Sequence, residues 1–167
     1  MTKLESIHKR GVGKEHPKSH LIQFLAGIIF FFVWILDSFV FMFSTILASY
    51  IPLFIRIILC LGFTVIGLFL IFIAGHILFH RKDVSSKLIK TGIFAHTRHP
   101  IYLGVFILYL GFIFLSMSLI SIIGFIIVFI LYNWIVNFEE KDLEEIFKEE
   151  YIEYKKNVPK WIPSLKK

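Results

Sequence analysis

Cysteine is nearly absent from this chain: Cys60 is the only one in 167 residues. It lies within an apolar run, so no intrachain disulfide can form, and cysteine usage leaves the redox compartment open. Lysine and arginine are missing from residues 37–50, from 116–118, and from the whole stretch between Pro100 and Glu140. No internal repeat or low-complexity linker interrupts the sequence, which argues for one domain over residues 1–167. The basic N-terminal residues precede a long apolar run without a small-residue cleavage site, so a secretory signal is not expected.

What the chain has in excess is apolar surface. Hydrophobic residues make up 57% of it, phenylalanine alone contributes 20 positions, and the mean hydropathy is +0.78. A soluble domain does not reach this composition, so the expected class is an all-α, polytopic membrane protein. Four spans are read at about residues 21–36, 51–79, 100–115 and 119–138, with a far-side loop at 37–50 and a charged tail at 139–167. Arg56, near the outer edge of the second span, is expected to snorkel. Gly104 and Gly111, seven apart on span three, are expected to permit close helix packing.

The basic residues orient this topology. Of the 18 Lys and Arg, five lie in residues 1–20, five in 80–99 and seven in 139–167, leaving only Arg56 elsewhere. The positive-inside rule therefore places both termini and the central loop in the cytoplasm. The net charge of +6 becomes a property of one membrane face, with membrane lipids as its partners. A nucleic-acid footprint is the rival reading, but no recognition module accompanies these residues, so no nucleic acid is expected. Nothing in the sequence calls for a protein partner.

Between spans two and three runs Leu88–Gly104, LIKTGIFAHTRHPIYLG. Pro100 cannot continue a helix from upstream but suits the first position of a new one, and it pushes His99 toward extended backbone. Arg98 and His99 then stand at a helix N-terminus, where free N–H groups and the helix dipole favour a carboxylate. The tail returns to the same face. In Phe138–Tyr154 apolar residues recur at helical spacing among many glutamates, predicting an amphipathic helix that continues out of span four. The segment VPKWIP at 158–163 ends it, with Trp161 as an interfacial anchor. Glu139 and Glu140 emerge at the membrane boundary, level with Arg98 and His99. His76 and His80 have helical metal-ligand spacing, yet with no further ligands in sight no metal is expected.

GIFAHTRHPIYLG at 92–104 followed by FEEKDLEEIFKEEYIEYKKNVPKWIP at 138–163 resembles the integral membrane methyltransferases, the group of isoprenylcysteine carboxyl methyltransferases and phospholipid N-methyltransferases. The resemblance covers about the last eighty residues. It implies S-adenosylmethionine at the cytoplasmic face and methyl transfer to a lipophilic acceptor that enters from the bilayer. The acceptor nucleophile is an amine, a carboxylate or a thiol. By the same resemblance Ser86, Lys87, Leu88, Ile89, Phe94, His99, Pro100, Ile101, Tyr102 and Glu139 line the cofactor pocket; Arg98, His99 and Glu140, polar groups converging at the membrane boundary, are the candidate catalytic residues. A soluble Rossmann methyltransferase would need a strand and a glycine-rich turn; the only dense glycine pair, Gly11 and Gly13, follows no strand. A non-enzymatic adaptor or transporter subunit is the alternative class.

The chain departs from the family pattern in four places. Phe94 stands for a tyrosine, Lys148 for a glycine, Lys160 for an arginine, and Ile135 for the arginine with which carboxyl methyltransferases engage their acceptor. The last of these leaves Tyr132, Asn133 and Asn137 as the polar groups near the inner end of span four. Prenylcysteine analogues are on that ground expected to be poor acceptors.

Overall fold

The computed structural model describes residues 19–79 and 88–163. Helix α1 covers Ser19–Ile35 and runs on as a π-helical turn over Leu36–Phe41. After a short 3-10 turn at Ile46–Ser49 comes α2, Leu53–Phe79. A second 3-10 turn, Gly92–Ala95, leads to α3 at Pro100–Ser116, α4 at Leu119–Phe147 and α5 at Glu149–Asn157. No strand occurs among the described residues. Among the described residues three helices are long and apolar enough to cross a membrane: Ser19–Phe41, Leu53–Leu78 and Leu119–Phe147. The apolar α3 is shorter, at 17 residues.

Helices α1, α3 and α4 enclose the core. Ala26, Phe30 and Trp34 of α1 meet Phe106, Tyr109 and Ile113 of α3 and Val128 and Tyr132 of α4. Helix α2 lies along α3, and glycine is the reason the two backbones approach so closely. A Cβ on Gly67 would stand 2.7 Å from the Gly104 carbonyl oxygen, and a Cβ on Gly104 the same distance from that of Gly67. A Cβ on Gly111 would meet the Cys60 carbonyl at 3.2 Å, so both α3 glycines act in packing, as their spacing predicts. The outward faces carry exposed Phe24, Ile29, Phe32, Phe69, Phe72, Ile123 and Ile130. Such a surface is unfavourable in water and suits a hydrocarbon surround.

The first span extends past its expected end at residue 36. Asp37 does not stop the helix because its buried carboxylate is satisfied from other segments: Ser44 donates from its backbone N–H at 3.0 Å and its hydroxyl at 2.5 Å, and the Ser118 hydroxyl adds a third bond at 2.5 Å. Ser118 also caps α4, accepting from the Ser121 N–H. This cluster ties the 42–50 segment to the α3–α4 turn, where Met117 takes left-handed backbone at φ 55°. Arg56 does not snorkel outward. Its Nη1 donates to the Leu115 carbonyl at 2.9 Å and its Nε to that of Ile51 at 3.2 Å, so it caps the end of α3.

The tail is not one continuous helix. Helix α4 continues to Phe147, and the chain breaks at Lys148 with φ 48° and ψ −124° before α5 begins. That backbone region suits glycine and strains any residue with a Cβ. The break turns α5 back toward the 88–99 segment, which sets up the site.

Candidate functional site

The segment before α3 is held by the tail through four hydrogen bonds. The Tyr154 hydroxyl donates to the Phe94 carbonyl at 2.6 Å, and the Arg98 N–H donates to the Pro159 carbonyl at 3.0 Å. The fully buried Thr97 donates its hydroxyl to the carbonyls of Lys160 and Trp161. Apolar contacts reinforce them: Leu88 packs on Tyr151, Tyr154 and Val158. Trp161 is not an anchor lying out at the interface. Its ring reaches inward against His99, Phe106 and Phe129 at centroid distances of 5.9, 5.2 and 5.7 Å.

Pro100 occupies the first position of α3, as its chemistry predicts, and His99 immediately precedes it. The geometry brings Arg98, His99 and Glu140 together. Arg98 Nη2 and His99 Nε2 both reach Glu140 Oε1, at 3.2 and 3.0 Å. The Arg98 and Glu140 side chains are only 8% and 5% exposed. Lys155 stands 3.7 Å from Glu140 Oε2. Burial pushes the Glu140 carboxyl up, but the His99 hydrogen bond and the Arg98 charge outweigh it and hold the group below the usual carboxylate range. His99 is pulled down, chiefly by burial, with the Arg98 and Lys160 charges adding to the effect and the Glu140 bond opposing it. The imidazole is therefore neutral at pH 7, and it donates Nε2–H to an ionised carboxylate that can only accept.

One residue earlier, Glu139 accepts the hydroxyl proton of Tyr102, and the Gln23 amide donates to the same Tyr102 oxygen at 3.1 Å. The row Gln23–Tyr102–Glu139 thus joins α1, α3 and α4 beside the Arg98 cluster. Three polar atoms in this region, Arg98 Nε, Arg98 Nη1 and Tyr151 Oη, are buried without a hydrogen-bond partner among the described residues.

The other residues expected at the site are distributed as follows. Phe94 and Pro100 are buried, while Leu88, Ile89, Ile101 and Tyr102 are half-buried. Ser86 and Lys87 lie outside the described residues, as does His80 of the histidine pair. Among the described residues no group of three His, Cys, Asp or Glu side chains is placed to hold a metal.

Sequence reasoning missed Gln23, Thr97, Tyr154 and the position of Lys160, whose Nζ donates to Asn133 Oδ1 at 3.0 Å and Asn137 Oδ1 at 2.6 Å. A signal existed for Gln23, the one strongly polar side chain between Leu21 and Trp34. None existed for Lys160, whose partners lie on another helix.

Fold and site together define a class: an all-helical membrane protein with a buried arginine, histidine and glutamate cluster where its apolar helices turn charged. A family model described as phospholipid methyltransferase matches residues 44–150, well over half of the chain, and the chain belongs to that family. Membership implies S-adenosylmethionine as methyl donor. The protein-S-isoprenylcysteine O-methyltransferase of Saccharomyces cerevisiae is 39% identical over 92 residues, 53% of this chain and 38% of that protein. Its counterpart from Schizosaccharomyces pombe is 32% identical over 90 residues, with the same coverage of each chain. The human protein of that name is 32% identical over 93 residues, 55% of this chain and 33% of the relative. The matched stretch therefore spans between 33% and 38% of the length of these relatives.

Proposed function

We propose that the chain is an S-adenosylmethionine-dependent methyltransferase acting on a lipophilic acceptor held in the bilayer. Arg98 is the observation that carries this reading. Its side chain is buried, it commits one nitrogen to Glu140, and its Nε and Nη1 have no partner among the described residues. Leaving a buried donor unmade costs about 1–3 kcal/mol, and a carboxylate brought by a ligand removes that cost. The amino-acid carboxylate of the cofactor is such a group, and the N-terminus of α3 favours negative charge at the same place.

The remaining residues fit the rest of that molecule. Glu139 already accepts from Tyr102, but a carboxylate offers about four lone-pair sites, enough for a ribose hydroxyl as well. Phe94, Pro100, Ile101 and Tyr102 supply apolar and aromatic walls for the adenine; Ser86, Lys87, Leu88 and Ile89 complete the set that the family pattern points to.

When bound, the cofactor supplies a methyl group already activated by its sulfonium. The protein's task is alignment and exclusion of water. Glu140 holds Arg98 and His99 in one orientation, and the Trp161 ring packed on Phe106 and Phe129 seals the membrane side.

In this reading α3 is a fourth crossing. Its 17 residues span roughly 26 Å at 1.5 Å per residue, near a hydrocarbon core of about 30 Å. Its packing along α2 and its tight turn into α4 support a full traverse. Both termini and the site then face the cytoplasm, where the basic residues concentrate. Binding of S-adenosylhomocysteine to detergent-purified protein, followed by calorimetry, tests the proposal. Micromolar or tighter affinity is expected, weakened at least about tenfold by Arg98→Met, a loss of about 1.4 kcal/mol. Absence of binding by the unsubstituted protein would overturn it.

A further inference from the structure

Gln23 is a polar amide set among the apolar residues of α1. A polar side chain in a membrane-spanning helix is costly unless it is bonded, and the partner of this one is another helix's side chain. Gln23 Nε2 donates to the Tyr102 hydroxyl oxygen at 3.1 Å, and that hydroxyl donates its only proton to Glu139. The order of donors is therefore fixed. With its proton committed, the Tyr102 oxygen can only accept from α1, and the amide nitrogen is the part of glutamine that can donate. Three helices contribute to one relay running from an amide through a phenol to a carboxyl group. Hydrogen bonds aligned in one sense strengthen each other where the dielectric is low.

Holding α1 in place does not account for this bond. Further along the helix Ala26, Phe30 and Trp34 are buried in the core. Phe30 meets the Tyr109 ring at a centroid distance of 4.4 Å, and Trp34 Nε1 donates to the Phe112 carbonyl and the Ser116 hydroxyl, each at 3.0 Å. These contacts dock α1 without Gln23. What Gln23 adds is reach into a side chain that holds Glu139.

We infer that Gln23 is a positioning residue for the ribose of the cofactor, acting through Tyr102 on Glu139. The inference rests on the proposed methyltransferase reading, in which Glu139 accepts a ribose hydroxyl. Tyr102 anchors Glu139 by Oε1, and a carboxyl group anchored at one oxygen presents the other in a set direction. The phenolic hydrogen turns to suit its surroundings. The Gln23 amide occupies a lone pair of the same oxygen and so keeps that hydrogen on the Glu139 side. Without the amide the hydroxyl turns more freely, and the hold on Glu139 loosens.

Calorimetry on the full-length protein in detergent, with S-adenosylhomocysteine and its 2′,3′-dideoxyribose analogue, tests this. The unsubstituted protein should prefer the compound that carries the ribose hydroxyls. Gln23→Met removes the donor and keeps the length of the side chain. It should lower affinity for S-adenosylhomocysteine by about three- to tenfold, the scale of one neutral hydrogen bond, and change that for the dideoxy analogue by less than about twofold. In a Tyr102→Phe background the amide has no oxygen to bond, so the same substitution should cost no further affinity. Gln23→Leu repeats the measurement with a different apolar shape, and affinity for the dideoxy analogue reports in each protein whether the site is still folded.

A glutamine that only fastened α1 would act on both ligands alike, with or without the tyrosine hydroxyl. An equal loss for the two ligands, an undiminished loss in the Tyr102→Phe background, or no loss at all therefore overturns the inference. So does an unsubstituted protein that binds S-adenosylhomocysteine no better than the dideoxy analogue, while leaving the methyltransferase reading standing. Failure of the unsubstituted protein to bind either compound would remove both.

Discussion

The hydroxyl of Tyr154 donates to the backbone carbonyl of Phe94 at 2.6 Å, across sixty residues of sequence. This bond fastens the tail to the segment that carries Arg98 and His99. Tyr154→Phe removes the donor and leaves a buried carbonyl unmade, which costs about 1–3 kcal/mol. We expect a lower melting temperature and weaker S-adenosylhomocysteine binding together. A melting loss with unchanged affinity would show that the tail stabilises the fold without shaping the site.

Lys148 adopts φ 48°, ψ −124° at the break between α4 and α5. A residue with a Cβ held there costs of order 1–3 kcal/mol, which glycine avoids. Glycine also enlarges the conformational freedom of the unfolded chain, so Lys148→Gly is expected to stabilise by roughly 1 kcal/mol net, while Lys148→Val should destabilise. Thermal denaturation of the three proteins in one detergent reads the order directly. Equal melting temperatures would mean that the break carries no strain.

The His99–Glu140 pair makes the site acid-sensitive. His99 has its pKa lowered in the folded protein, mainly by burial, so the unfolded chain takes up a proton first as the pH falls below about 6.5. The stabilisation is present above that value and is lost as the pH falls through the folded pKa. The lowered Glu140 carboxyl acts in the same direction at lower pH. Melting temperature measured from pH 8 to pH 3 should therefore decline in two stages. His99→Gln keeps an N–H donor without titrating near neutrality, and it should flatten the upper stage only. A profile that the substitution leaves unaltered would separate His99 from the pH response.

Which parts of this protein were legible in the sequence follows from how far each interaction reaches. The helix that starts at Pro100, the span of α2 and the turn at Ser116–Ser118 depend on neighbours a few residues away, and proline chemistry and hydropathy expose them. The Arg98–His99–Glu140 cluster was approachable because one helical hairpin separates its members, returning α4 to the face from which α3 departed. Trp161, Lys160 and Tyr154 were misplaced or missed for the opposite reason. Their contacts depend on the backward turn at Lys148, and nothing in the residue type of a lysine announces a positive φ. Asp37 shows the same limit at the other end, since its partners Ser44 and Ser118 come from two different loops.

Glu139 and Tyr102 provide the sharpest test of which acid touches the cofactor. Glu140 is engaged with Arg98 and His99, whereas Glu139 borders the apolar walls and shares its charge with the Tyr102 hydroxyl. If Glu139 also accepts a ribose hydroxyl, Glu139→Ala should weaken S-adenosylhomocysteine binding by roughly 1–3 kcal/mol, the scale for losing a hydrogen bond to a charged group. Tyr102→Phe removes only the bond that orients the carboxylate and should cost less. Because the two residues act on the same ligand group, the double variant should cost less than the sum of the single changes. Calorimetry on the four proteins closes the cycle. Affinity unchanged in Glu139→Ala would take that residue out of the cofactor site and leave the tyrosine–glutamate bond as a packing feature between α3 and α4.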